Sequence, residues 1–206
     1  MKYLKTIGLA ALAAMALMAF GASTASATEL YKLTTGTPSI DTLGVGTTID
    51  ASLTGSAILE TTGGEVLNTC TGGTVHGEIT NAGSATTTVN GHIDELTWTG
   101  CTRETKTIAN GSLEIHHITG TTNGTVTGKD SEVTINGIFG SSCVYGTGAG
   151  THLGTLVGAS GPHAHATLAI KATVPRTAGG FLCPSTAVWN ANYTVTSPTG
   201  LVVEAS

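Results

Sequence analysis

Residues 48 to 60 read TIDASLTGSAILE, and this stretch decides the fold class. Its odd-numbered residues, among them Ile49, Ala51 and Leu53, are apolar or small, whereas polar residues such as Asp50 fill most of the even positions. Successive side chains of a β-strand point to opposite faces, so a period of two indicates one buried face and one wet face. We therefore predict a half-buried strand here.

The same alternation returns in four later stretches, which are residues 74–79, 133–139, 168–174 and 186–195. Threonine is the most abundant residue, glycine occurs 29 times, and charged residues make up only 10% of the chain. Threonine is β-branched and suits a pleated, partly wet surface, while glycine supplies turns. The sequence predicts an antiparallel all-β fold. A β-sandwich of two packed sheets is favoured, and a closed barrel is the alternative.

The strand phase slips once, close to Asp94. Val89 and Ile93 share one parity, whereas Leu96 and Trp98 share the other. A single extra residue in one strand of an antiparallel pair produces such a slip. We therefore predict a β-bulge at this point.

Asn-Gly pairs occur at residues 90–91, 110–111, 123–124 and 136–137. Both residues tolerate the positive φ angles of two-residue hairpin turns. The pairs at 110–111 and 123–124 lie between predicted strands, and we expect them to form such turns.

The first 27 residues have the layout of a secretory signal peptide. Lys2 and Lys5 precede an apolar run over residues 7–20, and small residues occupy positions 25–27. The run is shorter than the roughly 20 residues of a membrane-spanning helix, and no second run follows it. We expect residues 1–27 to be removed and residues 28–206 to form a single all-β domain. The mature protein is expected to be secreted or extracellular, either free or wall-associated.

Cys70, Cys101, Cys143 and Cys183 form an even set in a chain expected to be exported. Extracellular compartments oxidise thiols, and no two of these cysteines have the close spacing of a zinc knuckle, so disulfides are expected. Sequence allows three pairings in principle. The sequential pairing, Cys70 with Cys101 and Cys143 with Cys183, is favoured.

Candidate catalytic and metal-binding groups are few. The chain has no Gly-x-Ser-x-Gly motif and no obvious pair of converging carboxylates, so we predict no catalytic residue, no cofactor and no enzyme activity. His163 and His165, placed on one face of a predicted strand, are weak metal-ligand candidates together with His116 or Glu114. Solvated histidines on a polar face are the simpler interpretation, and no metal site is predicted.

Trp98 and Trp189 are the remaining candidates for ligand contact. Trp189 shares the apolar parity of its strand, and Trp98 lies shortly before Cys101. A tryptophan packed in the core beside a disulfide is a common arrangement in β-sandwiches. Core packing is therefore favoured for both, with contact to a glycan as the alternative.

The motifs around the cysteines resemble a known group of proteins. They are LTWTGCT at 96–102, SCVYG at 142–146, LGTL at 153–156 and LCP at 182–184. These motifs resemble small secreted actinobacterial proteins of unknown function, which are similar to the family labelled protein activator of alkane oxidation. The resemblance spans residues 52–203. It implies extracellular help in hydrocarbon use, through surface activity or contact with an apolar substrate, and it assigns no catalytic residues.

Charge narrows the choice of partners. The formal net charge is −5, and the basic residues are scattered, so nucleic acid is not expected as a partner. No transmembrane anchor is expected in the mature chain, and an apolar small molecule or a cell-envelope component is the expected partner class.

The sequence predicts a secreted, non-enzymatic protein with a structural, surface-active or interaction role at the envelope or in the medium. The alternative is an extracellular binding module for an apolar ligand, such as a lipid or alkane, or for a glycan. An outer-membrane barrel is a third possibility, which the aromatic content of 4% disfavours.

Overall fold

The computed structural model describes residues 27 to 36 and 39 to 206. Apart from Ala27, the predicted signal peptide lies outside the described residues. Within the described part, no helix has the length and apolar character needed to cross a membrane. The strands are β1 (Thr28–Leu33), β2 (Ile40–Thr42), β3 (Thr48–Glu60), β4 (Val66–Gly72), β5 (Thr74–Asn81), β6 (Gly83–Ser84), β7 (Val89–Leu96), β8 (Thr99–Cys101), β9 (Thr105–Ala109), β10 (Ser112–His117), β11 (Gly124–Lys129), β12 (Glu132–Ile138), β13 (Ser141–Gly146), β14 (Thr151–Val157), β15 (Thr167–Gly179), β16 (Thr186–Ser197) and β17 (Leu201–Glu204).

Eight of these strands close into a ring of antiparallel pairs. The order is β3, β5, β7, β10, β11, β14, β15 and β16, and β16 returns to pair with β3. At this closing seam Trp189 lies opposite Leu59 and Tyr193 lies opposite Leu53. Closure removes the unpaired edges that an open sheet exposes. The predicted antiparallel all-β fold is confirmed, and the sheet adopts the closed, barrel-like arrangement.

A second group of strands continues from the ring along three long strands, β3, β15 and β16. At one side β3 pairs with β4 and β4 pairs with β8, while at the other β15 is followed by β13, β12 and β9. We call β4, β8, β9, β12 and β13 the branch. Gly55, at φ +76°, lies in β3 where the pairing with β16 shifts register between the ring and the branch.

A small separate sheet of β17, β1 and β2, with β6 on β1, covers one end of the ring. Leu30 of β1 and Leu201 of β17 are buried and pack into the same cluster as the ring residues Ile79 and Val89. Backbone bonds also tie the sheet to the ring, since the Val203 N–H donates to the Thr122 carbonyl at 3.1 Å. The ring interior is therefore closed at this end by aliphatic side chains.

The core divides into two clusters. The larger one lies inside the ring and includes Ile170, Ala191 and Tyr193. The smaller one lies between the branch and the long strands and includes Ile135 and Tyr145. Trp189 packs against both clusters. The alternating apolar positions of the sequence thus face inward along both parts of the sheet.

The bulge predicted from the phase slip is confirmed. His76 pairs with Glu95, but the next residue, Gly77, pairs with Ile93, so Asp94 is the extra residue of β7. The bulge returns Ile93 to the inside of the ring, where it is buried.

The predicted Asn-Gly hairpin turns are wrong. Residues 110–111 separate β9 and β10, which pair with different strands and not with each other. Gly124 is already part of β11, opposite His117, so the β10–β11 connection is longer than two residues. Phe139-Gly140, between β12 and β13, does form a two-residue hairpin turn, with φ angles of +47° and +78°.

Both favoured disulfides are formed, Cys70 with Cys101 and Cys143 with Cys183. The first links β4 to β8, and the second links β13 to the turn after β15. Gly179 leaves room for the second disulfide, because a Cβ at this position would lie 2.8 Å from the Cys183 sulfur. Two bridges without a free thiol in the described residues indicate an oxidising, extracellular environment.

Candidate functional site

A partly open cavity of about 210 Å³ lies inside the ring and continues into the branch. Its wall is built mainly from the inward-facing positions of the ring strands, including Ile49 of β3, Val126 of β11 and Ile170 of β15. Branch residues such as Ile135 and Tyr145 complete it. Leu30 closes it at the end covered by the small sheet. The wall is apolar for the same reason that the sequence alternates: every second residue of each ring strand points inward.

Three of the aromatic side chains in this wall pack against one another in a row. The rings of Trp98 and Trp189 lie 5.9 Å apart, and those of Trp189 and Tyr193 lie 6.5 Å apart, both edge to face. Both tryptophans are partly buried and pack against the core, so they do not form an exposed aromatic strip of the kind that binds glycans. The Trp98 indole N–H donates to Thr107 Oγ1 at 3.1 Å, and this bond fixes the orientation of the indole.

Most polar side chains of the cavity wall have hydrogen-bond partners within the protein. Asn68 Nδ2 donates to Thr105 Oγ1 at 2.7 Å, and the Tyr145 hydroxyl donates to the Pro184 carbonyl at 3.2 Å. Thr147 Oγ1 accepts from the Ser131 N–H at 3.0 Å. These groups are satisfied without a ligand.

The Tyr193 hydroxyl is the exception. Tyr193 lines the cavity at the middle of β16 and is 2% exposed. Its oxygen is the only buried side-chain nitrogen or oxygen without a hydrogen-bond partner among the described residues. Burial raises the pKa of the Tyr193 phenol, so the group stays protonated and keeps a proton to donate.

The histidine candidates are separated in the structure. His163 lies in a turn and His165 in the segment before β15, so the predicted common strand face is wrong for this pair. His165 Nδ1 donates to the Val195 carbonyl at 2.7 Å. His116 does lie on a strand, β10, with its Nε2 3.3 Å from Glu114 Oε1.

No three His, Cys, Asp or Glu side chains of residues 27–36 and 39–206 are grouped so that they would hold a metal ion. Asp50 and His76 form a polar pair on the outer face of the ring, with Oδ1 and Nδ1 2.6 Å apart. The hydrogen bond to Asp50 raises the pKa of His76. Between β10 and β11, Lys129 donates a hydrogen bond to Glu114, which lowers the pKa of the Glu114 carboxyl. These are cross-strand surface pairs of the polar face.

No protein-family model, curated protein or solved structure matches this chain. The candidate site is thus described by its geometry alone. It is an aliphatic and aromatic wall that includes the Tyr193 phenol, whose hydroxyl has no hydrogen-bond partner among the described residues.

Sequence reasoning placed the two tryptophans in the core but did not single out Tyr193. The available signal was its parity, because Tyr193 shares the inward register of β16 with Trp189 and Ala191. What the sequence does not encode locally is which buried hydroxyl finds an acceptor. Tyr145 has one in the Pro184 carbonyl, and that carbonyl is 39 residues away along the chain.

Proposed function

We propose that this protein is a secreted, non-enzymatic binding module that holds a small apolar ligand inside the ring. The observation that carries the proposal is the cavity of about 210 Å³ with its aliphatic and aromatic wall. Ligand sites are typically concave, mostly apolar and equipped with few polar groups. An engineered cavity of about 150 Å³ with a similar wall stays dry and binds benzene.

An empty apolar cavity is costly for a protein of this size. Protein interiors are close-packed, and each cubic ångström of residual cavity lowers stability by roughly 24 cal/mol. A ligand that fills the ring restores the missing dispersion contacts with side chains such as Ile49, Val126 and Ile170. The free energy lost in the empty state thus favours the occupied state.

Two further observations support the proposal, one for an extracellular location and one for an apolar ligand. The signal-peptide layout of residues 1–27 and the two disulfides support action outside the cell. The similarity to activators of alkane oxidation supports a hydrocarbon or another apolar molecule. Scattered basic residues argue against a polyanionic partner.

The test is headspace partitioning of n-pentane through n-nonane over the mature protein, residues 28–206, prepared with both disulfides formed. Each buried methylene contributes about 0.8 kcal/mol, so we expect affinity to rise about fourfold per added carbon until the chain fills the cavity. Beyond that length the affinity is expected to level off. Retention equal to that of a heat-denatured sample would refute the proposal.

Substitutions of Ala51, which lines the cavity on β3, locate the site. Ala51→Leu and Ala51→Phe are expected to reduce alkane binding in that order, with at least a tenfold loss for phenylalanine, because they occupy the ligand's space. Ala169→Phe is the matched control, since Ala169 is exposed on the outside of β15. Equal binding by all three variants would place the ligand elsewhere.

A surface-active role is the second candidate, and exposed apolar side chains next to the second disulfide favour it. Phe181 is 91% exposed, and Phe139 is 52% exposed in the β12–β13 turn. The Cys143–Cys183 bridge and the pairing of Cys143 with Gly179 bring these two turns to the same end of the sheet. Phe139 also adopts φ +47°, a strained conformation for a bulky residue.

Adsorption at an oil–water interface tests this second role. Burying a phenylalanine in an apolar phase gains about 2 kcal/mol, so Phe181→Ser is expected to lower the adsorption constant by more than tenfold. Val45→Ser is the control, because Val45 is 68% exposed in a different turn. If both substitutions reduce adsorption equally, general surface hydrophobicity and not this pair of turns is responsible.

A further inference from the structure

The cavity wall contains a buried hydrogen-bond donor, the Tyr193 hydroxyl, that has no acceptor among the described residues. Tyr193 is buried, it lines the cavity, and its hydroxyl has no partner among the described residues. Buried hydroxyl groups in native proteins are nearly always paired, so an unpaired one calls for an explanation. The neighbouring Trp189 ring packs edge to face against the Tyr193 ring at 6.5 Å and limits its movement.

Other buried polar groups of the wall already have partners elsewhere in the protein. The Tyr145 hydroxyl is bonded to the Pro184 carbonyl, and Thr105 Oγ1 is bonded to both Asn68 and the Arg103 carbonyl. Tyr193 is therefore a wall residue whose buried hydroxyl has no hydrogen-bond partner among the described residues.

We propose that the ligand of the ring is a neutral molecule with a short alkyl portion and one oxygen acceptor, such as a ketone or an ester, and that the acceptor bonds to Tyr193 Oη. This inference rests on the proposed function and narrows its ligand class from hydrocarbons in general to oxygenated ones. A carboxylate is excluded by charge, because no lysine or arginine is among the described residues of the wall and an unpaired ion in an apolar cavity is strongly disfavoured.

The proposed ligand class follows from the two components of the site, its aliphatic wall and its buried hydrogen-bond donor. An aliphatic wall selects for an alkyl chain by area alone, without distinguishing one chain from another. A buried donor adds selectivity for ligands that carry an acceptor, because a ligand without one leaves the donor unpaired. The phenol stays neutral over the physiological pH range, so the preference for an oxygenated ligand is expected to be independent of pH.

The experiment compares butyl methyl ketone with isoheptane, in which a methyl group replaces the carbonyl oxygen. Binding of both to the mature protein and to Tyr193→Phe is measured by headspace partitioning. We expect Tyr193→Phe to weaken ketone binding about tenfold and to change isoheptane binding by less than about twofold. Equal effects on the two ligands, or no effect on either, would overturn the role of Tyr193 while leaving the cavity proposal in place.

Tyr145→Phe is the matched control, because Tyr145 also lines the cavity but its hydroxyl already donates to a carbonyl. We expect it to lower the melting temperature without changing the ratio of the two affinities. Tyr193→Phe is expected to leave the melting temperature of the unliganded protein unchanged or to raise it, since it removes an unpaired hydroxyl. Failure of the wild-type protein to bind either ligand would refute the proposed function itself.

Discussion

Replacing Cys143 and Cys183 together by alanine is expected to lower the free energy of unfolding by about 4 kcal/mol. The bridge closes a segment with a sequence separation of 40, and its loss frees that segment in the unfolded state. Cys143 is fully buried and Cys183 is 3% exposed, so the substitution also leaves a small cavity in the branch cluster. Urea unfolding followed by tryptophan fluorescence measures the change.

Cys70 and Cys101, likewise replaced by alanine, provide the comparison. Their bridge has a sequence separation of 31, and the loop-entropy model gives the two bridges stabilities within about 0.3 kcal/mol of each other. Cys101 is only partly buried, so less packing is lost there. A larger loss for the Cys143–Cys183 variant therefore reports packing, whereas a loss below about 1 kcal/mol for either variant would contradict a structural role.

Asn68→Leu is expected to cost about 3 kcal/mol of stability. Asn68 is 4% exposed on β4, and its carbonyl oxygen accepts from Thr102 Oγ1 at 2.9 Å and from the Arg103 N–H at 3.0 Å. Its amide donates to Thr105 Oγ1 at 2.7 Å. Leucine has nearly the same size but leaves the backbone N–H of Arg103 and the two threonine hydroxyls without this partner.

The same urea titration with Asn192→Leu supplies the control, because Asn192 is exposed on the outer face of β16. A change within about 0.5 kcal/mol is expected there. If the two leucine variants unfold at the same urea concentration, the hydrogen bonds of Asn68 do not hold β8 and β9 against β4. A hydrogen-exchange measurement at the amide of Arg103 would then show no faster exchange in Asn68→Leu.

Local patterns in the sequence predict the strands and the bulge well. β3 spans Thr48–Glu60, the same bounds as the alternating stretch, because burial of one face imposes a period of two on any strand of a closed sheet. The extra residue at Asp94 is visible for the same reason, since a slip of one position reverses which face is apolar.

Features that depend on distant pairing could not be predicted in this way. The Asn-Gly pair at 110–111 has good turn chemistry, yet β9 and β10 join different parts of the sheet, so the chain crosses between them without a hairpin. The choice between two packed sheets and a closed ring likewise depends on the β3–β16 seam. Whether the Tyr193 hydroxyl finds a hydrogen-bond partner depends on the side chains packed around it, and no local motif encodes that packing.

The closing seam of the ring pairs two strands that are far apart in the sequence. The seam joins a strand near the start of the described chain to one near its end, and Asn190 bonds to Glu60 across a separation of 130 residues. Until β16 has emerged, the ring is an open sheet whose two outermost strands, β3 and β15, expose unpaired backbone groups. The ring can therefore close only after residues as far as β16 are available, and we expect this closing step to be slow and sensitive to aggregation.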